Sequence, residues 1–238
     1  MLRLSPYLYK EHQWSDLNSM PFYLPLLQCH RGYLKKGATE NTIGSLQAAF
    51  EQGYKMAETD LRLNRNGEVV LSHDLLTPEK ENEDLSTLLA TLEVLTPKHF
   101  LNLEIKNETK TNFSLEEKII AVLKNHPKRF QILFSSFNPF SLAWMGKLLP
   151  EIPRGLLVTQ AEEPGNSFFL KEMSFLPLVK PHFLHVRWED LDHYKDVPPE
   201  RKVIWTLNDL NHAQTLVDCN KVRSIITDSI LPSQLKKA

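Results

Sequence analysis

Short apolar runs alternate with longer amphipathic ones along this chain. The short runs are Pro25–Cys29, Lys55–Leu63, Glu68–Ser72, Phe100–Lys106, Gln131–Ser135, Arg154–Thr159, Phe183–Arg187, Val203–Thr206 and Arg223–Thr227. Most are rich in Leu, Ile, Val and Phe, as suits strands buried on both faces. Between them, Thr42–Gln52 sets Ile43, Leu46, Ala49 and Phe50 on one helical face. Leu115–Leu123 does the same with Leu115, Ile119, Val122 and Leu123, with Ser114 as N-cap and Glu117 at the capping-box position. Leu85–Leu95, Ser141–Leu149 and Leu210–Val217 follow the same pattern. Alternation of strand and helix predicts parallel strands joined by crossovers. The number of strands selects a closed α/β barrel, the (β/α)8 or TIM barrel, over an open sheet.

One run is surplus to eight. Glu68–Ser72 follows Lys55–Leu63 through Asn64-Arg65-Asn66-Gly67, and Asn-Gly between strands signals a β-hairpin. With Asn66 and Gly67 as the two loop residues, Arg65 faces Glu68 and, further down the ladder, Asp60 faces His73. Opposed residues have Cβ atoms about 5 Å apart, so this register predicts His73 beside Asp60. The extra strand is therefore expected to be antiparallel.

No repeat, low-complexity tract or Gly/Ser linker divides the chain. Residues 1–238 read as a single barrel domain, with 1–22 as an N-terminal extension packed on its outside. The 28 basic and 29 acidic residues nearly cancel. That balance argues against a nucleic-acid footprint, a polybasic membrane anchor and an acidic tail. No apolar run approaches the ~20 residues that span a bilayer. The N-terminus carries polar residues where a signal peptide would be apolar. Two isolated cysteines, Cys29 and Cys219, make no disulfide scaffold. Cys29 ends an apolar run and is expected to be a buried thiol, and a cytoplasmic location fits best.

Glu58 and Asp60 are two apart and share one face of their strand. Two buried carboxylates are costly unless their charge is cancelled. A divalent cation would do this, and so would an ion pair with Arg62 on the same face. In Asn102-Leu103-Glu104-Ile105-Lys106 the polar residues share one face and the apolar ones the other. Barrel interiors are usually filled by branched apolar side chains, so an inward row of Asn, Glu and Lys points to a site. Glu104 would be a third carboxylate for a metal, and Lys106 would hold a phosphate oxygen or neutralise the carboxylates. The first strand ends in Cys29-His30-Arg31-Gly32, which places His30 and Arg31 at the C-terminal face, where barrel enzymes keep their sites. Arg31 suits phosphate because its planar fork takes two oxygens at once. His30 and His73 titrate near neutral pH, so one can take a proton and the other give one.

These pieces resemble the glycerophosphodiester phosphodiesterase family. The matching motifs are His30-Arg31-Gly32, Glu40-Asn41-Thr42, Glu58-Thr59-Asp60, His73-Asp74, Asn102 to Lys106, Phe134-Ser135-Ser136-Phe137, Trp205-Thr206-Leu207-Asn208 and Ile225-Ile226-Thr227-Asp228, in family order. The resemblance implies a phospholipase-C-like (β/α)8 barrel that hydrolyses small glycerophosphodiesters to glycerol 3-phosphate and an alcohol. It implies Mg²⁺ or Ca²⁺ on Glu58, Asp60 and Glu104, His30 and His73 as the acid/base pair, and Arg31 on the phosphate, with Lys106 touching the site. Glu40 would orient the loop holding His30 and Arg31, or only be a carboxylate at the helix start favoured by the dipole. Trp205 would shape the pocket, or only fill the core. His12, His99, His126, His182, His185, His193 and His212 have no ligand spacing and read as structural or surface groups. One departure stands out: the insertion that family members carry after the His-Asp pair is reduced here to a short acidic loop. That favours one alternative, a related phosphodiesterase for lysophospholipids or another phosphodiester. A second, of a different class, is a non-catalytic barrel that binds a phosphate ligand, against which the complete acid/base and carboxylate set counts. Phe168, Phe169 and Phe175 would line an apolar mouth in the first case and are otherwise core residues of a short helix.

Overall fold

Nine strands form one sheet in the computed structural model, which describes residues 13–34, 38–162 and 167–236. They are β1 (Leu27–Cys29), β2 (Met56–Leu63), β3 (Val69–Leu71), β4 (Phe100–Ile105), β5 (Ile132–Ser136), β6 (Arg154–Val158), β7 (Phe183–Arg187), β8 (Lys202–Trp205) and β9 (Ser224–Thr227). All pairings are parallel except β2 with β3. Because β1 pairs with both β2 and β9, the eight parallel strands close into a barrel. Helices α1 (Ile43–Glu51), α2 (Leu88–Glu93), α3 (Ser114–Leu123), α4 (Pro139–Leu148), α5 (Phe168–Lys171), α6 (Leu176–Val179) and α7 (Leu210–Asp218) lie between the strands. The predicted TIM barrel with one antiparallel addition is thus the fold. Among the described residues no helix is long and apolar enough to cross a membrane.

Two apolar layers hold it. The larger unites the outward side chains of the strands with the inner faces of the helices, from Leu46 and Ala49 on α1 to Ala213 and Leu216 on α7. The smaller fills the lower barrel with Met56, Leu133, Phe183, Val203 and Ile226. Beneath it the N-terminal extension does more than lie on the outside: Leu17, Met20 and Phe22 pack against this layer, and Trp14 is buried. Phe22 stacks on Phe100 with centroids 4.4 Å apart. The barrel floor is therefore sealed, and ligands enter from the opposite, C-terminal end of the strands. Residues 1–12 of the predicted extension lie outside the described residues.

Two local expectations are corrected. Helix α3 begins at Ser114, which is not its N-cap: Asn112 Oδ1 accepts from both Ser114 N (3.0 Å) and Ser114 Oγ (2.6 Å), drawing Ser114 into the first turn. The hairpin register differs by one residue. Leu61 pairs with Leu71 and Leu63 with Val69, and Ser72 N donates to Asp60 O at 3.0 Å, so Asp60 faces Ser72 instead of His73. The cause is Asn64, whose side-chain oxygen accepts from Asn66 N (3.0 Å) and Glu68 N (2.9 Å). This widens the loop to three residues and leaves Gly67 at φ +76°, a left-handed position that closes such loops as a bulge.

Candidate active site

The C-terminal ends of β1, β2 and β4 bring the predicted residues together around a cavity of about 920 Å³. Glu58 and Asp60 on β2, and Glu104 on β4, point inward as their alternation requires. Their oxygens lie within 4.8 Å of one another, and all three are buried or nearly so. Lys106 places its Nζ 2.6 Å from Glu104 and 3.1 Å from Asp60. Arg31 Nε is 3.4 Å from Asp60. Lys106 and Arg31 thus face Asp60 and Glu104, whereas the nearest side-chain cation to Glu58 is His30, 4.0 Å away. One Glu58 oxygen accepts from the Arg31 backbone N–H at 3.0 Å; the other is buried with no hydrogen-bond partner.

The charge states follow. Burial, then repulsion from Asp60, pushes Glu58 up to about 8. Glu104 is also raised, by burial first. Asp60 is lowered: burial opposes its charge, but Lys106, Asn41 and Arg31 outweigh it. Lys106 is likewise raised against burial by Glu104 and Asp60. A carboxylate cluster short of positive charge, with one orphaned oxygen, fits a hard divalent cation. Arg62, the alternative partner for the carboxylates, is engaged elsewhere. It donates to His73 O from Nε (3.0 Å) and Nη2 (2.9 Å), and to Glu108 at 2.8 Å.

His30 continues β1, with its N–H on Thr227 O at 2.9 Å. Its Nδ1 lies 2.6 Å from Asp228 Oδ1, and its Nε2 lies 4.0 Å from Glu58. Burial lowers the His30 pKa, but Asp228 and Glu58 outweigh it and the net shift is upward. Asp228 is itself braced by Asn208, whose amide donates to its second oxygen at 2.8 Å. His73 reaches the cavity from the chain just past β3, pinned by the two Arg62 bonds to its carbonyl. Its Nδ1 is 2.9 Å from Asp74 Oδ1. Proximity to the cavity thus comes from the turn after β3, not from the predicted pairing.

Arg31 lines the cavity, and its Nη1 donates to Glu40 at 3.0 Å. Glu40 therefore braces Arg31, and the N-cap of α1 is Thr42, which bonds Ser45 reciprocally. Trp205 is half-buried at the cavity wall, donates to His185 O at 3.0 Å and meets Phe137 edge-on at 5.6 Å. Asn41, Asp228 and Asn208 were given no role on sequence grounds. Asn41 donates to Asp60 (2.9 Å) and accepts from Thr59 Oγ1 (2.6 Å) and Asp60 N (3.0 Å), fixing the carboxylate. The available signals were the Asn of the Glu40-Asn41-Thr42 motif and a carboxylate directly after the last strand.

The other half of the cavity is apolar, walled by Phe137, Phe140, Leu157, Leu170, Phe175 and Trp205. Phe168 and Phe169 are not core: α5 is short, and they stand 59% and 61% exposed. Cys29 is buried as expected, and burial pushes its thiol up to about 12.

Residues 30–113 match the model of the glycerophosphoryl diester phosphodiesterase family. That stretch holds both histidines, Arg31, the three carboxylates and Lys106. A glycerophosphodiester phosphodiesterase of Caldanaerobacter subterraneus is 29% identical over 161 residues, 56% of this chain and 66% of that protein, just short of two thirds of its length. An uncharacterized Mycoplasma genitalium protein is 28% identical over 85% of this chain and 95% of its own. An Oleispira antarctica phosphodiesterase, solved with its product sn-glycerol-3-phosphate, superposes with a TM-score of 0.69 at 29% identity, covering 87% of this chain and 94% of that one.

Proposed function

We propose that this chain, which belongs to the glycerophosphoryl diester phosphodiesterase family, hydrolyses glycerophosphodiesters to glycerol 3-phosphate and an alcohol with a divalent cation. The observation that carries the reading is a cluster of three buried carboxylates, two of which, Glu58 and Glu104, line one cavity with two histidines and an arginine. Mg²⁺ or Ca²⁺ held by Glu58, Asp60 and Glu104 would supply Lewis acidity at the phosphoryl oxygens. Arg31, braced by Glu40, orients the phosphate with a bidentate fork. Lys106 keeps its charge and holds Asp60 and Glu104 in place. His73 accepts the proton of the attacking hydroxyl as its oxygen bonds to phosphorus. His30, kept protonated by Asp228, delivers a proton to the alkoxide leaving on the broken P–O bond. The attacking hydroxyl belongs to water, or to the substrate's own glycerol; in the second case the alcohol leaves with a cyclic phosphate formed, and water then opens that ring to give glycerol 3-phosphate.

The deciding assay follows turnover of glycerophosphocholine and glycerophosphoethanolamine with EDTA, Mg²⁺ and Ca²⁺. Metal-dependent release of glycerol 3-phosphate is expected. Metal binding without hydrolysis of any diester would leave a phosphate-binding barrel in place of an enzyme. The acid role of His30 has its own check. Asp228→Asn removes the anion that raises the His30 pKa, so the alkaline limb of the pH–kcat/KM profile should move to lower pH. An unmoved limb would remove His30 from the acid role.

The apolar half of the cavity favours a second reading, in which lysophospholipids are also substrates. Phe140 and Phe175, edge-on at 5.7 Å, and Leu170 would take the hydrocarbon arm. Phe175→Ser should then lower kcat/KM for a lysophospholipid about tenfold and leave glycerophosphocholine unchanged. Equal effects on both would discard this reading.

A further inference from the structure

The cavity lining holds an unexplained group. His185 on β7 is fully buried and lines the cavity, yet neither ring nitrogen has a hydrogen-bond partner. Burial drives its pKa down to about 3, so the ring is a neutral imidazole with one donor and one acceptor. The neighbouring strand is hollowed to receive it. A Cβ on Gly155 of β6 would come within 2.2 Å of Nε2, so only glycine leaves room for the ring. Asn102 on β4 shows the same pattern. Its amide nitrogen is fixed on Gln28 Oε1 at 3.0 Å, which leaves Oδ1 buried, unpartnered and on the cavity lining. Buried polar groups are normally paired, and an unpaired one beside a cavity calls for a partner from the ligand or solvent.

The chemistry of that partner can be read from what is offered. His185 and Asn102 together present acceptors and one neutral donor, with no cation. A phosphate oxygen needs donors or positive charge, which lie at Arg31 and Lys106 instead. A hydrocarbon arm would leave both groups unpaired. A hydroxyl, donor and acceptor at once, satisfies them. We infer that His185 and Asn102 form a subsite for the hydroxyls of the substrate's glycerol arm, and so select polyol phosphodiesters over other diesters. The leaving alcohol then lies along the apolar wall. This assignment rests on the reading of the chain as a glycerophosphodiesterase.

The test separates hydroxyl recognition from the chemistry. His185→Phe keeps the ring's volume and removes both nitrogens. Its kcat/KM for glycerophosphoethanolamine should fall tenfold or more, while that for bis(4-nitrophenyl) phosphate, which has no hydroxyl, changes less than twofold. Equal losses on both substrates, or no loss on either, would overturn the subsite. A binding measurement covers a variant that fails to fold and a protein with no turnover. By calorimetry on the wild-type protein with Mg²⁺, glycerol 3-phosphate should bind at least tenfold tighter than n-propyl phosphate, which carries the same charge without the hydroxyls. Equal affinities would mean that water alone serves His185. Turnover of no glycerophosphodiester, with the affinity difference intact, would fail the proposed reaction and keep the subsite.

Discussion

His30→Ala should lower kcat by about 10²–10⁴-fold, the range that a positioned acid or base contributes, and leave the melting temperature nearly unchanged. The side chain is 22% exposed and reaches outward to Asp228, so its loss opens no core cavity. Asp228 keeps its Asn208 bond and Glu58 keeps the Arg31 N–H, so neither carboxylate that His30 faces is left without a hydrogen bond. The fold therefore survives while the proton donor is gone. Added imidazole should restore part of the rate, because the phosphate contacts of Arg31 remain. Steady-state kinetics with a parallel thermal melt decides it: a variant with near-normal kcat has no need of His30 as acid, and a collapsed melt would mean that the residue serves folding.

Glu58→Gln should have the opposite signature in the two measurements. Turnover and metal response are lost, while the metal-free protein becomes more stable at alkaline pH. Glu58 is buried, and desolvation with repulsion from Asp60 outweighs His30 at 4.0 Å, so its pKa rises from 4.5 to about 8. A carboxyl whose folded pKa is raised binds its proton more tightly when folded. The penalty is absent below about pH 4.5, grows as pH rises, and is complete above about 8. By this linkage the metal-free wild type loses on the order of 5 kcal/mol across that window. Glutamine keeps an oxygen for the Arg31 N–H and removes the charge, so its stability should be flat over the same range. Metal binding to the wild type should strengthen with pH, approaching tenfold per unit, until Glu58 has lost its proton. Denaturant melts at pH 5, 6.5 and 8 with and without Mg²⁺ test both halves. Parallel wild-type and variant curves would show that Glu58 carries no such burden.

Much of this was legible in the residues. Alternation of apolar runs gave the strands within a residue or two, Phe183–Arg187 without error. Spacing by two put Glu58 with Asp60, and Asn102 with Glu104 and Lys106, on inward faces. What failed was side-chain-to-backbone chemistry. Asn64 accepts two backbone N–H groups and shifts the hairpin by one residue, an outcome that the Asn66-Gly67 pair alone does not reveal. Asn112 binds Ser114 and leaves Phe113 at the N-cap for the same kind of reason. His185 looked structural because its meaning lies in a glycine on another strand. Long-range pairs such as His30 with Asp228, 198 residues apart, have no local trace at all.

The two histidines also differ in how firmly they are built in. His30 extends a barrel strand, whereas His73 follows a three-residue strand whose ladder joins the barrel along one edge. Among the described residues its other edge pairs through the Val70–Thr87 bridge, and its Val69 and Leu71 side chains are buried in the outer apolar layer. Opening β3 would withdraw one proton-transfer group and leave the barrel closed. Amides of 69–72 should therefore exchange with solvent faster than those of β4 or β5, by sub-global opening. On heating, activity should fade before the far-ultraviolet circular dichroism does, so that the enzyme's working range is set by this arm and not by the melting of the barrel.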